Sequence, residues 1–89
     1  MTMHNNGISK LIEELSELIV DLAKKQAFPT GKHPDGRGDI NERIQNEMAD
    51  VEAAIEFVRE NLGYWKSDYE ARRRAKLEQF RKWHSDPNV

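Results

Sequence analysis

The sequence predicts an all-α protein, an antiparallel helical hairpin plus a C-terminal helix, forming a helical bundle on oligomerisation. Three observations predict it. Apolar residues recur every three or four positions in two long stretches. A loop with two prolines and three glycines divides those stretches. No segment reads as a strand. At 89 residues the chain is expected to be one domain, 1–89, with 1–7 and 85–89 as flexible ends. A chain this short buries a small core, and self-association is a common remedy.

The first helix is predicted from Ile8 to Lys25. Its apolar stripe is Ile8, Leu11, Ile12, Leu15, Leu18, Ile19 and Leu22. Asn5 or Asn6 is a candidate cap, and Lys24 and Lys25 suit the negative end of the helix dipole. The loop Phe28 to Gly38 follows, basic at Lys32 and Arg37 with His33 between them. Asp39 opens the second helix, and Asp39 with Glu42 resembles a capping box. Its stripe runs Ile40, Ile44, Met48, Val51, Ala54, Ile55, Val58 and Leu62, and Gly63 stops it. A third helix is expected from about Ser67 to His84. Trp65, Tyr69, Phe80 and Trp83 fall near one line of it, with the stems of Arg72 and Lys76 between them.

The chain is 34% charged with a net charge of −2, which argues against a general nucleic-acid binder. Acids dominate from Glu13 to Glu60, and bases from Lys66 to Lys82. There are no cysteines, which excludes disulfides, thiolate nucleophiles and cysteine zinc sites. His4, His33 and His84 show no zinc spacing and read as surface residues. No run approaches the roughly 18 apolar residues of a membrane span. No apolar signal core begins the chain, so a cytoplasmic location is expected.

The carboxylates are the informative feature. At about 100° per residue, Glu14, Glu17 and Asp21 fall within a sector of roughly 60°, and Glu13 points away from it. On the second helix Glu47 sits inside the apolar stripe, with Asp50 at its edge. A carboxylate aimed at a helix–helix interface is costly unless paired, protonated or metal-bound. Arg43 and the bases of the third helix are the available partners. Packed as a hairpin, Glu14 and Glu17 face Glu47 and Asp50. Oxygen-only ligands of this kind select hard cations, Mg²⁺ or in its place Mn²⁺.

Ile12-Glu-Glu-Leu-Ser-Glu-Leu18 followed by Asn46-Glu-Met-Ala-Asp-Val51 resembles the MazG-like all-α nucleoside triphosphate pyrophosphohydrolases, and especially the short phage and prophage versions. Arg74-Ala-Lys-Leu-Glu-Gln-Phe-Arg81 is similar to their basic final helix, so the likeness covers roughly Ile8 to Trp83. The resemblance implies Mg²⁺-dependent cleavage of a nucleoside triphosphate, ribo or deoxy, to the monophosphate and pyrophosphate. It matches Glu14, Glu17, Glu47 and Asp50 to the metal-binding carboxylates, and Glu13 to the leading Glu of the signature. It also implies a homodimer or homotetramer and, for a phage-encoded chain, the host cytoplasm. Larger relatives carry a helix ahead of the first motif, whose place a neighbouring subunit or the third helix would take.

The catalytic candidates are Glu14 and Glu17, either of which would take a proton from the attacking water. Candidates for gripping phosphate are Lys24, Lys25, Arg73, Lys76 and Arg81, with Lys32, His33 and Arg37 of the loop ranked just behind the third helix. Tyr64, Trp65 and Tyr69 are candidates for stacking on a base. The alternatives are a non-catalytic MazG-like protein, a helical interaction module whose acids pair with the third helix, and a phage DNA-binding protein using that helix.

Overall fold

The computed structural model describes residues 7–63 and 68–86. Three helices run in order: α1 (Ile8–Ala27), α2 (Ile40–Leu62) and α3 (Asp68–Ser85), with no strand among the described residues. Asn5, Asn6, Tyr64, Trp65 and Ser67, to which the sequence assigned caps, stacking or a helix start, and His4, read as a surface residue, lie outside the described residues.

α2 follows its sequence signals closely. Asp39 is extended at φ −71°, ψ 125°, and its carboxylate accepts a hydrogen bond from the Asn41 N–H at 3.0 Å. The cap therefore engages the second helical residue, not Glu42 as a capping box would. Gly63 closes α2 in the left-handed region at φ 68°, where a side chain is strained, and its N–H bonds the Arg59 carbonyl. α1 begins differently. Its N-cap is Gly7, without a side-chain cap, so no hydroxyl or carboxamide marks the start in sequence. Lys24 and Lys25 fill its last turn, as the dipole favours.

α1 and α2 form the antiparallel hairpin. At its open end Gly7 packs so closely on α2 that a Cβ there would stand 2.6 Å from the Phe57 ring. At its closed end the Ile40 N–H bonds the Gly31 carbonyl at 3.0 Å and draws the loop over the start of α2. Ile40, fully buried, and Val51, Ala54 and Val58 make the apolar core.

The seam departs from the sequence expectation on the α1 side. The whole apolar stripe was expected to pack on α2. Instead Leu11, Glu14, Leu18 and Asp21 turn inward, while Ile8, Ile12, Leu15, Ile19 and Leu22 remain 40–65% exposed. Residues seven apart, Glu14 and Asp21, share the α2-facing line, and the isoleucines lie one column round. On the same side α2 exposes Met48, beside Ile44.

α3 stands largely clear of the hairpin and has no buried residue. One link is Arg59 of α2, whose guanidinium lies 4.0 Å from the Tyr69 ring centre. Phe80 and Trp83 touch each other at 6.0 Å between ring centres and stay about half exposed. The molecule is accordingly flat, 41 × 38 × 16 Å, with a radius of gyration of 16.2 Å. A compact domain of this length would have a radius of about 12 Å. No described helix is long and apolar enough to cross a membrane.

Candidate metal centre

Two polar clusters sit one above the other on the seam. Nearer the loop, Asp21 is buried and Arg43 crosses from α2 to meet it at 2.9 Å. The same guanidinium reaches Asp35 of the loop at 3.1 and 3.2 Å, and Lys24 Nζ donates to Asp35 at 2.8 Å. The Arg37 N–H adds a fourth bond to Asp35, at 3.0 Å. These donors, Arg43 first, hold the Asp35 carboxyl well below the usual carboxylate range. Two acids and two bases thus close a neutral network that fastens the loop to both helices.

The second cluster lies about two turns further along α1. Glu14, Glu47 and Asp50 each turn a carboxylate oxygen to within 4.8 Å of the others'. Glu17 stands in hydrogen-bonding reach of Glu47. Glu14 Oε1 and Glu47 Oε2 are buried and have no hydrogen-bond partner among the described residues. Burial first, then the Glu17 carboxylate, then Glu14 and Asp50, push the Glu47 carboxyl up to about 7. Among the described residues the one base paired with these acids is Lys10, 3.9 Å from Glu14 and closer to the exposed Glu13 at 3.3 Å. Arg43, which the sequence offered as the partner of Glu47, is committed to Asp21 and Asp35.

This donor set fits a divalent cation. Oxygen ligands on two facing helices, with two buried oxygens lacking any donor, match what a hard ion requires. Glu14, Glu47 and Asp50 would hold it, with Glu17 alongside. Of these acids Glu17 and Glu47 line a cleft of about 480 Å³, whose walls also include Asp21, Arg43, Lys24 and Arg37.

The candidate phosphate ligands are scattered. Lys24 lines the cleft but is paired with Asp35. Lys25 Nζ donates to the Pro29 carbonyl. Arg73 grips Glu70 of its own helix at 2.7 Å, and Lys76 reaches Gln79 at 3.5 Å. No α3 residue lines the cleft, so Arg73, Lys76 and Arg81 are not brought to the carboxylates of their own chain. His33, read as a surface residue, is half-buried: its ring packs edge-on against Phe28 at 4.7 Å and accepts the Asp35 N–H.

Sequence reasoning missed Asp35 and the Asp21–Arg43 pair. A signal for the pair was present, since Asp21 shares its sector with Glu14 and Arg43 precedes Glu47 by one turn. Compared with known protein families, characterised proteins and solved structures, the chain shows no significant match.

Proposed function

We propose that the protein is a MazG-like, Mg²⁺-dependent nucleoside triphosphate pyrophosphohydrolase. The observation that carries the reading is the pair of buried oxygens, Glu14 Oε1 and Glu47 Oε2, left without a donor inside a cluster of acids from two helices. Such an arrangement is costly for the metal-free protein and pays only where a cation binds. The motif spacing that resembles the family supplies the same four residues, Glu14, Glu17, Glu47 and Asp50.

When bound, Mg²⁺ neutralises charge on the phosphoryl group and the leaving pyrophosphate. Glu14, Glu47 and Asp50 would hold the cation, and Glu47 is the one of the three that lines the cleft. Glu17 lines that cleft, and unlike Glu14 it has no buried orphan oxygen calling for a metal. It is therefore the better base. It takes a proton as the water oxygen bonds the α-phosphorus, while the bond from that phosphorus to the bridging oxygen breaks and pyrophosphate leaves.

The reading includes a homodimer or homotetramer in the cytoplasm. Its support is the apolar side of the hairpin, Ile12, Leu15, Ile19, Leu22 and Met48, together with a core of four buried apolar residues among those described. Sedimentation is expected to give a species larger than the monomer at micromolar concentration; a folded monomer there contradicts this part.

The test of activity is pyrophosphate release from a panel of ribo- and deoxynucleoside triphosphates with Mg²⁺. Release by the wild type is expected, falling at least about a hundredfold in Glu47→Gln and in EDTA. A folded protein that binds metal and turns over no nucleotide would favour the non-catalytic alternative instead.

A further inference from the structure

The cleft beside the carboxylates contains three bases, and their situations differ. Arg43 and Lys24 are spoken for, since Asp21 and Asp35 neutralise both. Arg37 also lines the cleft, yet among the described residues no acid pairs with its guanidinium. Its backbone, by contrast, is fixed. The Arg37 N–H donates to Asp35 Oδ1, and Asp35 is clamped from α1 by Lys24 and from α2 by Arg43. A loop arginine is thereby pinned at its main chain to both helices that carry the acids, with its side chain left exposed at the cleft wall.

We infer that Arg37 is the side chain with which the cleft grips the phosphate chain of a metal-chelated polyphosphate, and that Asp35 is the residue that positions it. This rests on the reading of the acids as a metal site. The charge pattern argues for such a ligand. The acid cluster alone repels an anion, so a phosphate chain enters only with its cation and needs a base at its far end. The clamp removes Lys24 and Arg43 from competition, leaving one planar guanidinium able to form two parallel hydrogen bonds to phosphate oxygens. It also reassigns phosphate binding from α3 to the loop within a single chain.

The test is calorimetric titration of the full chain with inorganic triphosphate in Mg²⁺, then with a nucleoside triphosphate carrying a non-hydrolysable α–β link. Arg37→Ala is expected to weaken both ligands by about tenfold or more, the loss of a charge-assisted hydrogen bond. Arg37→Lys restores part of the affinity, and Asp35→Asn weakens it less than Arg37→Ala does. Lys82→Ala, the same charge change on α3, leaves it unaltered. Equal binding by Arg37→Ala and wild type overturns the inference. So does weakening confined to the nucleotide, which would put Arg37 at the base or sugar. Mn²⁺ binding is measured separately on the same samples. A wild type that binds Mn²⁺ but no triphosphate sinks the role of Arg37 and spares the metal site, whereas one that binds neither sinks both.

Discussion

The two clusters on the α1–α2 seam contain similar acids in similar surroundings, and the chain treats them oppositely. Around Asp21 and Asp35 each carboxylate meets a base at 2.8–3.1 Å, and the network is neutral. Around Glu47 four acids from two helices gather with a single base, Lys10, 3.9 Å from Glu14 among the described residues, and two of their oxygens are buried and unpartnered there. The chain can pair acids on this seam, and does so a short distance away. On the proposed reading, the Glu47 cluster is a place where stability is given up for binding a cation.

Disrupting the paired cluster is expected to have the largest effect. Asp21→Ala strands Arg43 on one side and is expected to cost about 2 kcal/mol in urea unfolding, below the full cost of a severed buried pair because some solvent reaches it. Glu47→Gln should act in the other direction. Without metal it removes the most strained charge of the acid cluster, and the thermal midpoint in EDTA is expected to rise by roughly 5 °C. A fall in midpoint would mean that the cluster is stabilised by something other than a cation.

The pH profile follows from the same residue. Glu47 holds its proton to about 7 in the folded chain, against an ordinary value of 4.5. Between those values the folded state binds more protons than the unfolded state. Stability from this group is full below 4.5, declines as pH rises and is gone above about 7. Thermal midpoints in EDTA should fall across that window, and the slope should flatten in Glu47→Gln. Asp35 acts elsewhere. Its carboxyl is lowered, so its contribution is lost only as pH falls below its ordinary 3.8. The smallest effect is expected on α3, where Arg73→Ala breaks the exposed pair with Glu70 and should leave the midpoint within measurement error.

Much of the fold was legible in the residues, and the failures have physical causes. α2 was legible at both ends because Asp39 and Gly63 are side-chain and backbone signals that act locally. The start of α1 at Ile8 was legible from its stripe, but its cap was not, because Gly7 caps it without a side chain. Helical periodicity found the stripe of α1 but misplaced it, since a helix with apolar columns for more than one neighbour does not say which column faces which. The same wheel singled out Glu47, because an acid within an apolar column is anomalous wherever that column points, and the structure brings Glu14 and Asp50 beside it. Asp35 was invisible. Its role depends on Lys24 and Arg43 arriving from two helices, which no local pattern encodes.

The most direct measurement is a Mn²⁺ titration followed by electron paramagnetic resonance at neutral pH, on wild type, Glu47→Gln and Asp21→Asn. A saturable site in the wild type, lost in Glu47→Gln and kept in Asp21→Asn, is the result expected if the unpaired cluster is the metal centre and the paired one is scaffold. A folded wild type with no saturable Mn²⁺ site, or one whose site survives Glu47→Gln unchanged, would contradict it.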